Sequence, residues 1–286
     1  MSAWVEPLRP SAIAADRLYV ALGWLAGAIG FALPLGIVGF LVVEGIGRIS
    51  WDFLLLPPMG YPLGSSGGIA PAIQGSLALV GLGLALALPL ALASAIGLSE
   101  YVEPSGRMAK ALRFAAESLA AVPAILYGLF GYTVFVVFCR FEVSLLSGAL
   151  TLGLMMLPII LIGTHAALQA IEFELRESAL ALGVSRSYAM RRIFLPRALP
   201  GIVAVTVLAA GHAVGSAAPV MFTASVAYAR GAPALDAPVM TLPTHLYYIV
   251  SEALDLEQAY GTALVLVIGL LCANAFAMLL RRWLIR

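Results

Sequence analysis

Residues 165–202 read HAALQAIEFELRESALALGVSRSYAMRRIFLPRALPGI, a polar stretch set between two long apolar runs. It is too charged to lie in a bilayer. Yet apolar residues recur in it at helical spacing: Leu168, Ile171, Leu175, Ala179 and Leu182. The spacing predicts a short amphipathic helix, a turn at Gly183 and a second, basic helix carrying Arg186, Arg191 and Arg192. Glycine suits the turn because it has no Cβ to clash where the chain reverses. Pro196 and Pro200 are expected to delimit the segment, since proline removes a backbone donor.

Outward from this stretch the chain is apolar. Of its 286 residues 62% are hydrophobic and 11% charged, against roughly 25% charged in ordinary soluble domains. Mean hydropathy is +1.01. The 16 basic and 15 acidic side chains could not cover a soluble core of this size. That excludes a soluble enzyme, a nucleic-acid binder and a disordered chain. Six stretches are long enough to cross a membrane as helices, which takes about 20 residues. They are roughly 18–43, 72–98, 118–138, 145–168, 201–227 and 260–280. The runs are continuous rather than alternating, so barrel strands are excluded. The first run is too long for the core of a cleaved signal peptide and reads as a retained anchor. The Gly, Pro and Ser cluster at 57–71 reads as an exposed, turn-rich loop.

Charge sets the expected orientation. Arg9, Arg17, Arg107, Lys110, Arg113, Arg176, Arg186, Arg191, Arg192, Arg197, Arg281, Arg282 and Arg286 fall at the termini and in the 99–117 and 169–200 loops. The opposite loops hold only Arg48, Arg140 and Arg230, with Glu44, Asp52, Glu142, Asp236, Glu252, Asp255 and Glu257. Both termini are therefore expected in the cytoplasm. Glu100, Glu103 and Glu117, among Arg107, Lys110 and Arg113, read as a solvated or partner-facing charged loop. Tyr127, Tyr132, Tyr247, Tyr248 and Tyr260 read as interface anchors.

Cys139 and Cys272 form no ligand-spaced pair, and His165, His212 and His245 fall on different sides of the membrane. No metal site and no cofactor are expected. No P-loop, HExxH or GxSxG is present, so any ATP is hydrolysed by another chain.

The polar stretch resembles the signature loop of ABC importer permeases: Glu-Ala-Ala, three residues, Gly, nine residues, Ile-x-Leu-Pro. Here the positions hold Glu177, Ser178, Ala179, Gly183, Ile193, Leu195 and Pro196, with Ser178 the one exchange among the small residues. The resemblance implies an all-α, polytopic, MetI-like bundle of six transmembrane helices with cytoplasmic coupling helices. It implies that Glu177, Ser178, Ala179, Gly183 and Arg186 face an ATPase subunit.

Further blocks resemble the A-type permease of Pst-type phosphate importers: GGIAPAIQGSLAL (67–79), GLSEY (97–101), ESLAAVPAILYGLFGY (117–132), GALTLGLMMLPII (148–160) and TLPTHLYYIV (241–250). They imply residues 1–66 as an anchor helix and outer loop, and 67–286 as the permease domain with its coupling loop at about 169–200. They also imply an importer of inorganic phosphate in the bacterial inner membrane. Its partners would be a second permease subunit, an ABC ATPase dimer and an extracytoplasmic binding protein.

One departure bears on cargo. The family usually carries Arg-Ala-x-Gly-Glu-Thr-Ala-Pro in span five. Here His212, Gly215, Ser216, Ala217 and Pro219 stand in that register. Both members of a buried ion pair are replaced together, so no orphan charge is left. His212 and Ser216, four apart, are expected on one helix face as oxyanion donors, with Gly215 and Pro219 beside them on the substrate pathway. The same exchange leaves another oxyanion or a phosphorus compound open as cargo. Of other classes, a membrane enzyme lacks a clustered nucleophile or base, and an ion-coupled secondary transporter lacks intramembrane acids.

Overall fold

The computed structural model of the protein describes residues 10–60, 66–103, 105–229, 231–252 and 255–285. Arg9, Arg230 and Arg286, counted above for orientation, lie outside the described residues, as does the middle of the 57–71 loop. In a bilayer each span must satisfy its own backbone, and the chain is helical almost throughout.

The order is α1 (Pro10–Gly45), α2 (Trp51–Leu55), a hairpin of β1 (Pro58–Met59) and β2 (Ser66–Gly67), α3 (Ala70–Glu100), α4 (Arg107–Ala120) and α5 (Ala124–Gly131). There follow α6 (Leu145–Gln169), α7 (Phe173–Ala181), α8 (Arg186–Ala189), α9 (Leu195–Val214), α10 (Ala217–Thr223), α11 (Leu242–Ser251) and α12 (Leu256–Ile285). Among the described residues five rods are long and apolar enough to cross a membrane: α1, α3, α6, the run from α8 through α9, and α12.

The expected third span, 118–138, does not form one helix. α4 and the helix over Ala124–Phe138 meet at 98°. Arg107, Lys110, Arg113 and Glu117 all lie on α4, and immersing them would be costly. Pro123 caps α5 with an extended ψ of 139°, so the chain turns there. From α5 the chain continues as a π-helix over Tyr132–Phe138. Tyr127 is no interface anchor: it is buried, and its hydroxyl donates to Leu119 O at 2.7 Å.

The expected fifth span, 201–227, is displaced. The helix starts at Arg186, passes Pro196 and Pro200, and stops at Val214. The prolines do not delimit it. Pro196 lies in the first turn of α9, and a π-helical stretch over Met190–Phe194 precedes it. The wider turns relieve the clash of the proline ring with the preceding carbonyl. At the other end Gly215 and Ser216 break the rod before α10.

α3 and α6 form the centre. Lipid is as apolar as leucine, so helices associate in it by close packing of small residues. α3 presents Ala72, Ser76, Val80, Ala87, Ala91 and Ala95, all buried and spaced four or seven residues apart, which keeps them on one helix face. Gly83 and Gly153 bring the backbones together: a Cβ at Gly83 would lie 2.9 Å from Ala149 O. Gly81 faces nothing among the described residues.

One end of the bundle is basic and holds α4, α7 and α8. The other is acidic. There Arg48 reaches Asp255 at 3.0 Å and Glu257 at 3.2 Å, tying the end of α1 to α12. The loop 225–239 clamps the start of α6: Leu145 N donates to Ala237 O at 2.9 Å and Leu146 N to Leu235 O at 3.0 Å. The described parts of the 57–71 segment are less exposed than their composition implies. Pro58, Gly68 and Ile69 are buried, and Ile69 N donates to Phe53 O at 2.8 Å.

His245 sits in α11 at 0% exposure. Neither ring nitrogen has a partner among the described residues. Burial pushes its pKa down from 6.5 to about 4. The neutral imidazole is thus favoured by the fold. Its contribution to stability is full above pH 6.5, falls as the pH drops through that value, and levels off below about 4. Against a His245→Phe variant, the wild type should lose roughly 3 kcal/mol between those limits. Thermal unfolding of both proteins in one detergent across this range measures it. A difference that does not change with pH would remove the assignment.

Candidate functional site

Two places gather the residues singled out in the sequence. The first is the loop at the basic end. α7 carries Glu177, Ser178 and Ala179, and Gly183 follows at φ +71°, a conformation that favours glycine. Ser185 caps the next turn, accepting from Tyr188 N at 3.3 Å. This is the expected helix, turn and basic helix, although the second helix runs on into α9.

Ala179 turns inward and is buried with Leu168, Met190 and Phe194. Glu177, Ser178 and Gly183 are exposed, as is Arg186. Leu182, expected on the apolar face, is 81% exposed at the tip beside Gly183. The tip thus presents an apolar knob flanked by polar residues.

Behind the tip lies a cleft of about 600 Å³ lined by Glu100, Tyr101, Glu103, Arg176, Glu177, Arg186 and Phe194, among others. Arg176 crosses its floor. Its Nη1 donates to Glu100 Oε1, its Nη2 to Leu168 O at 2.7 Å, and its guanidinium lies 4.8 Å from the centre of the Phe194 ring. Arg186 Nη1 reaches Glu100 O at 3.4 Å, and Tyr101 Oη lies 3.3 Å from Ser187 Oγ. Glu100 is therefore not a solvated loop charge but the largely buried partner of Arg176. In the sequence Arg176 and Glu100 stand out only as loop charges, and Phe194 does not stand out at all. The available signal was that Arg176 directly precedes Glu177.

The second place is the break in the fifth span. His212 is exposed on the last turn of α9, and its imidazole makes no hydrogen bond among the described residues. Ser216 does not share a helix face with it. Ser216 lies past the end of α9 at ψ 102°, and its hydroxyl donates to His212 O at 2.7 Å. That proton is committed to the backbone, so of the pair only His212 has a free donor. Gly215 is exposed beside them. Pro219 is buried, and a Cβ on Gly128 of α5 would come 2.9 Å from its Cα. It holds α10 to α5 instead of facing the surface that carries His212. Among the described residues no group of three His, Cys, Asp or Glu is placed to hold a metal ion.

Bundle and loop define a membrane-embedded ABC importer permease of the MetI-like fold. A chain from an inward-facing structure of the MetNI methionine ABC transporter superposes with TM-score 0.65 at 17% identity, over 76% of this chain and 96% of that one. The family model described as binding-protein-dependent transport system inner membrane component matches residues 85–286. The chain belongs to that family. Among relatives, the probable ABC transporter permease protein YqgI of Bacillus subtilis is 28% identical, over 94% of each chain. The phosphate transport system permease protein PstA 2 of Mycobacterium bovis is 30% identical, over 98% of this chain and 95% of its own. In such importers ATP is hydrolysed on a separate subunit, not on the permease.

Proposed function

We propose that the chain is the transmembrane subunit of an importer for inorganic phosphate, working by alternating access. It sits in the bacterial cytoplasmic membrane with the basic end and both termini in the cytoplasm. Residues 67–286 form the permease domain, and residues 1–66 an anchor helix and outer loop. Its partners are a second permease, a dimer of ATPase subunits and an extracytoplasmic binding protein. The observation that carries the cargo is the likeness, over nearly the whole chain, to a permease named for phosphate transport.

The exposed tip supports the coupling role. Glu177, Ser178, Leu182 and Gly183 form the docking face, Arg186 flanks it, and buried Ala179 anchors it to the bundle. A rigid knob of this kind passes a push to the helices on both sides. Substrate passes the break in the fifth span. There the His212 imidazole donates to an oxyanion, and Gly215 leaves the backbone uncovered. A single donor binds weakly, which suits a pathway that must release its cargo.

The exchange of the usual Arg and Glu for His212 and Ser216 favours a second reading of the same class, with another oxyanion or a phosphorus compound as cargo. Uptake of labelled phosphate by vesicles holding the full complex separates the two, with and without internal ATP and with excess competing oxyanions. Phosphate uptake should be at least tenfold above the ATP-free level. His212→Leu should lower it about tenfold with ATP hydrolysis retained, about the worth of one charge-assisted hydrogen bond. Hydrolysis without phosphate uptake in the wild type would overturn the cargo. Unchanged uptake in His212→Leu would remove that residue from the pathway.

A further inference from the structure

Arg176 sits where four pieces of the chain meet. It belongs to α7. Its guanidinium bonds the last residue of α3, Glu100, and the Leu168 carbonyl in the last turn of α6. Its face lies against Phe194, the last residue before α9. Arg176 and Glu100 are both largely buried, so water competes for them less than at a surface pair. A planar guanidinium can hold two acceptors and a ring at once, which a lysine ammonium cannot.

Beyond its chain connections, α7 is tied to the bundle among the described residues by this side chain and by buried Ala179. Covalent connection runs only to α6 on one side and to α8 on the other. α3, the central helix of the bundle, is linked to α7 by no nearby chain. Its end is seized by the Glu100–Arg176 pair, and Arg186 adds a bond to the carbonyl of the same Glu100.

We propose that Arg176 is the positioning residue that makes α3, α6 and α9 move with the coupling helix as one body, with Glu100 as its grip on α3. The proposal rests on the reading of the loop at about 169–200 as the ATPase-coupling segment. Arg176 does not form the docking face. It converts displacement of that face into movement of three spans together. Its loss would leave ATP hydrolysed and cargo unmoved.

The test uses the full complex in vesicles and reads phosphate imported per ATP hydrolysed. Arg176→Gln should keep hydrolysis within about twofold and lower the ratio at least fivefold. Arg176→Lys, which keeps the charge but not the fork, should also fall short of wild type. Glu100→Gln should lower the ratio about threefold. A merely structural role would reduce the amount of assembled complex and leave the ratio per complex unchanged; that result overturns the proposal. If Arg176→Gln does not assemble, Glu100→Gln decides, and a wild-type ratio there overturns it.

Docking is read separately, by cross-linking Leu182→Cys to the ATPase subunit in a Cys139→Ser, Cys272→Ser background. Failure of that cross-link in an otherwise wild-type chain strikes the coupling reading itself. A cross-link with unaltered ratios strikes only the role of Arg176. If the wild type imports no phosphate, the cargo reading fails. The same variants are then compared by how far the loaded binding protein stimulates hydrolysis, and undiminished stimulation overturns the proposal.

Discussion

Tryptophan at position 183 is expected to abolish ATP-driven uptake while the bundle stays folded in the membrane. Gly183 holds φ +71°, and a Cβ built there meets nothing within 4 Å among the described residues. The internal cost of a side chain is therefore backbone strain alone, about 1–2 kcal/mol. That is small against a typical stability of 5–15 kcal/mol. On the proposed docking face, the space a large side chain would fill is the space an ATPase subunit would occupy beside Leu182. Gly183→Trp should lose the ATPase subunit on purification and lower uptake at least tenfold. Gly183→Ala bears the same strain without the bulk and should retain most activity. Retained ATPase and full uptake in Gly183→Trp would count against the docking face.

Valine at position 75 is expected to act oppositely, by unseating the acidic end from within. Gly75 is buried on α3, and a Cβ there would overlap the backbone carbonyl of Met240. That carbonyl belongs to the segment between the 225–239 loop and α11. Its neighbourhood is locked: Leu242 N donates to Ser76 Oγ at 2.9 Å, and Thr241 with Thr244 forms a capping box. A backbone atom held this way cannot step aside as a flexible side chain would. Overpacking of this kind costs about 3 kcal/mol or more. Gly75→Val should unfold at a clearly lower temperature, whereas Gly81→Val, where nothing lies within 4 Å, should match the wild type. Equal unfolding temperatures for the two would refute the contact.

Much of the fold is legible residue by residue. Apolar runs near 20 residues give the spans, and alternation is absent. The turn at Gly183 follows from a glycine between two helical patterns, and it is there at positive φ. The third and fifth spans were less legible, for one reason. Hydropathy averages over a window and does not register where a helix bends. Residues 118–122 are apolar enough to cross but belong to α4 and the turn after it. Residues 217–223 are apolar enough but lie beyond the break at Gly215.

The candidate site divides the same way. By itself the sequence determined that the chain is a polytopic membrane protein, which end of it is basic, and which short segment breaks its apolar pattern. Each of these is a sum of local properties. Only the tertiary structure decided that Ser216 spends its proton on the His212 carbonyl, that Pro219 is buried near α5, and that Glu100 meets Arg176 across 76 positions of chain. Those facts depend on which helix ends come together. That is set by the packing of small residues between α3 and α6, which no window of neighbouring residues contains.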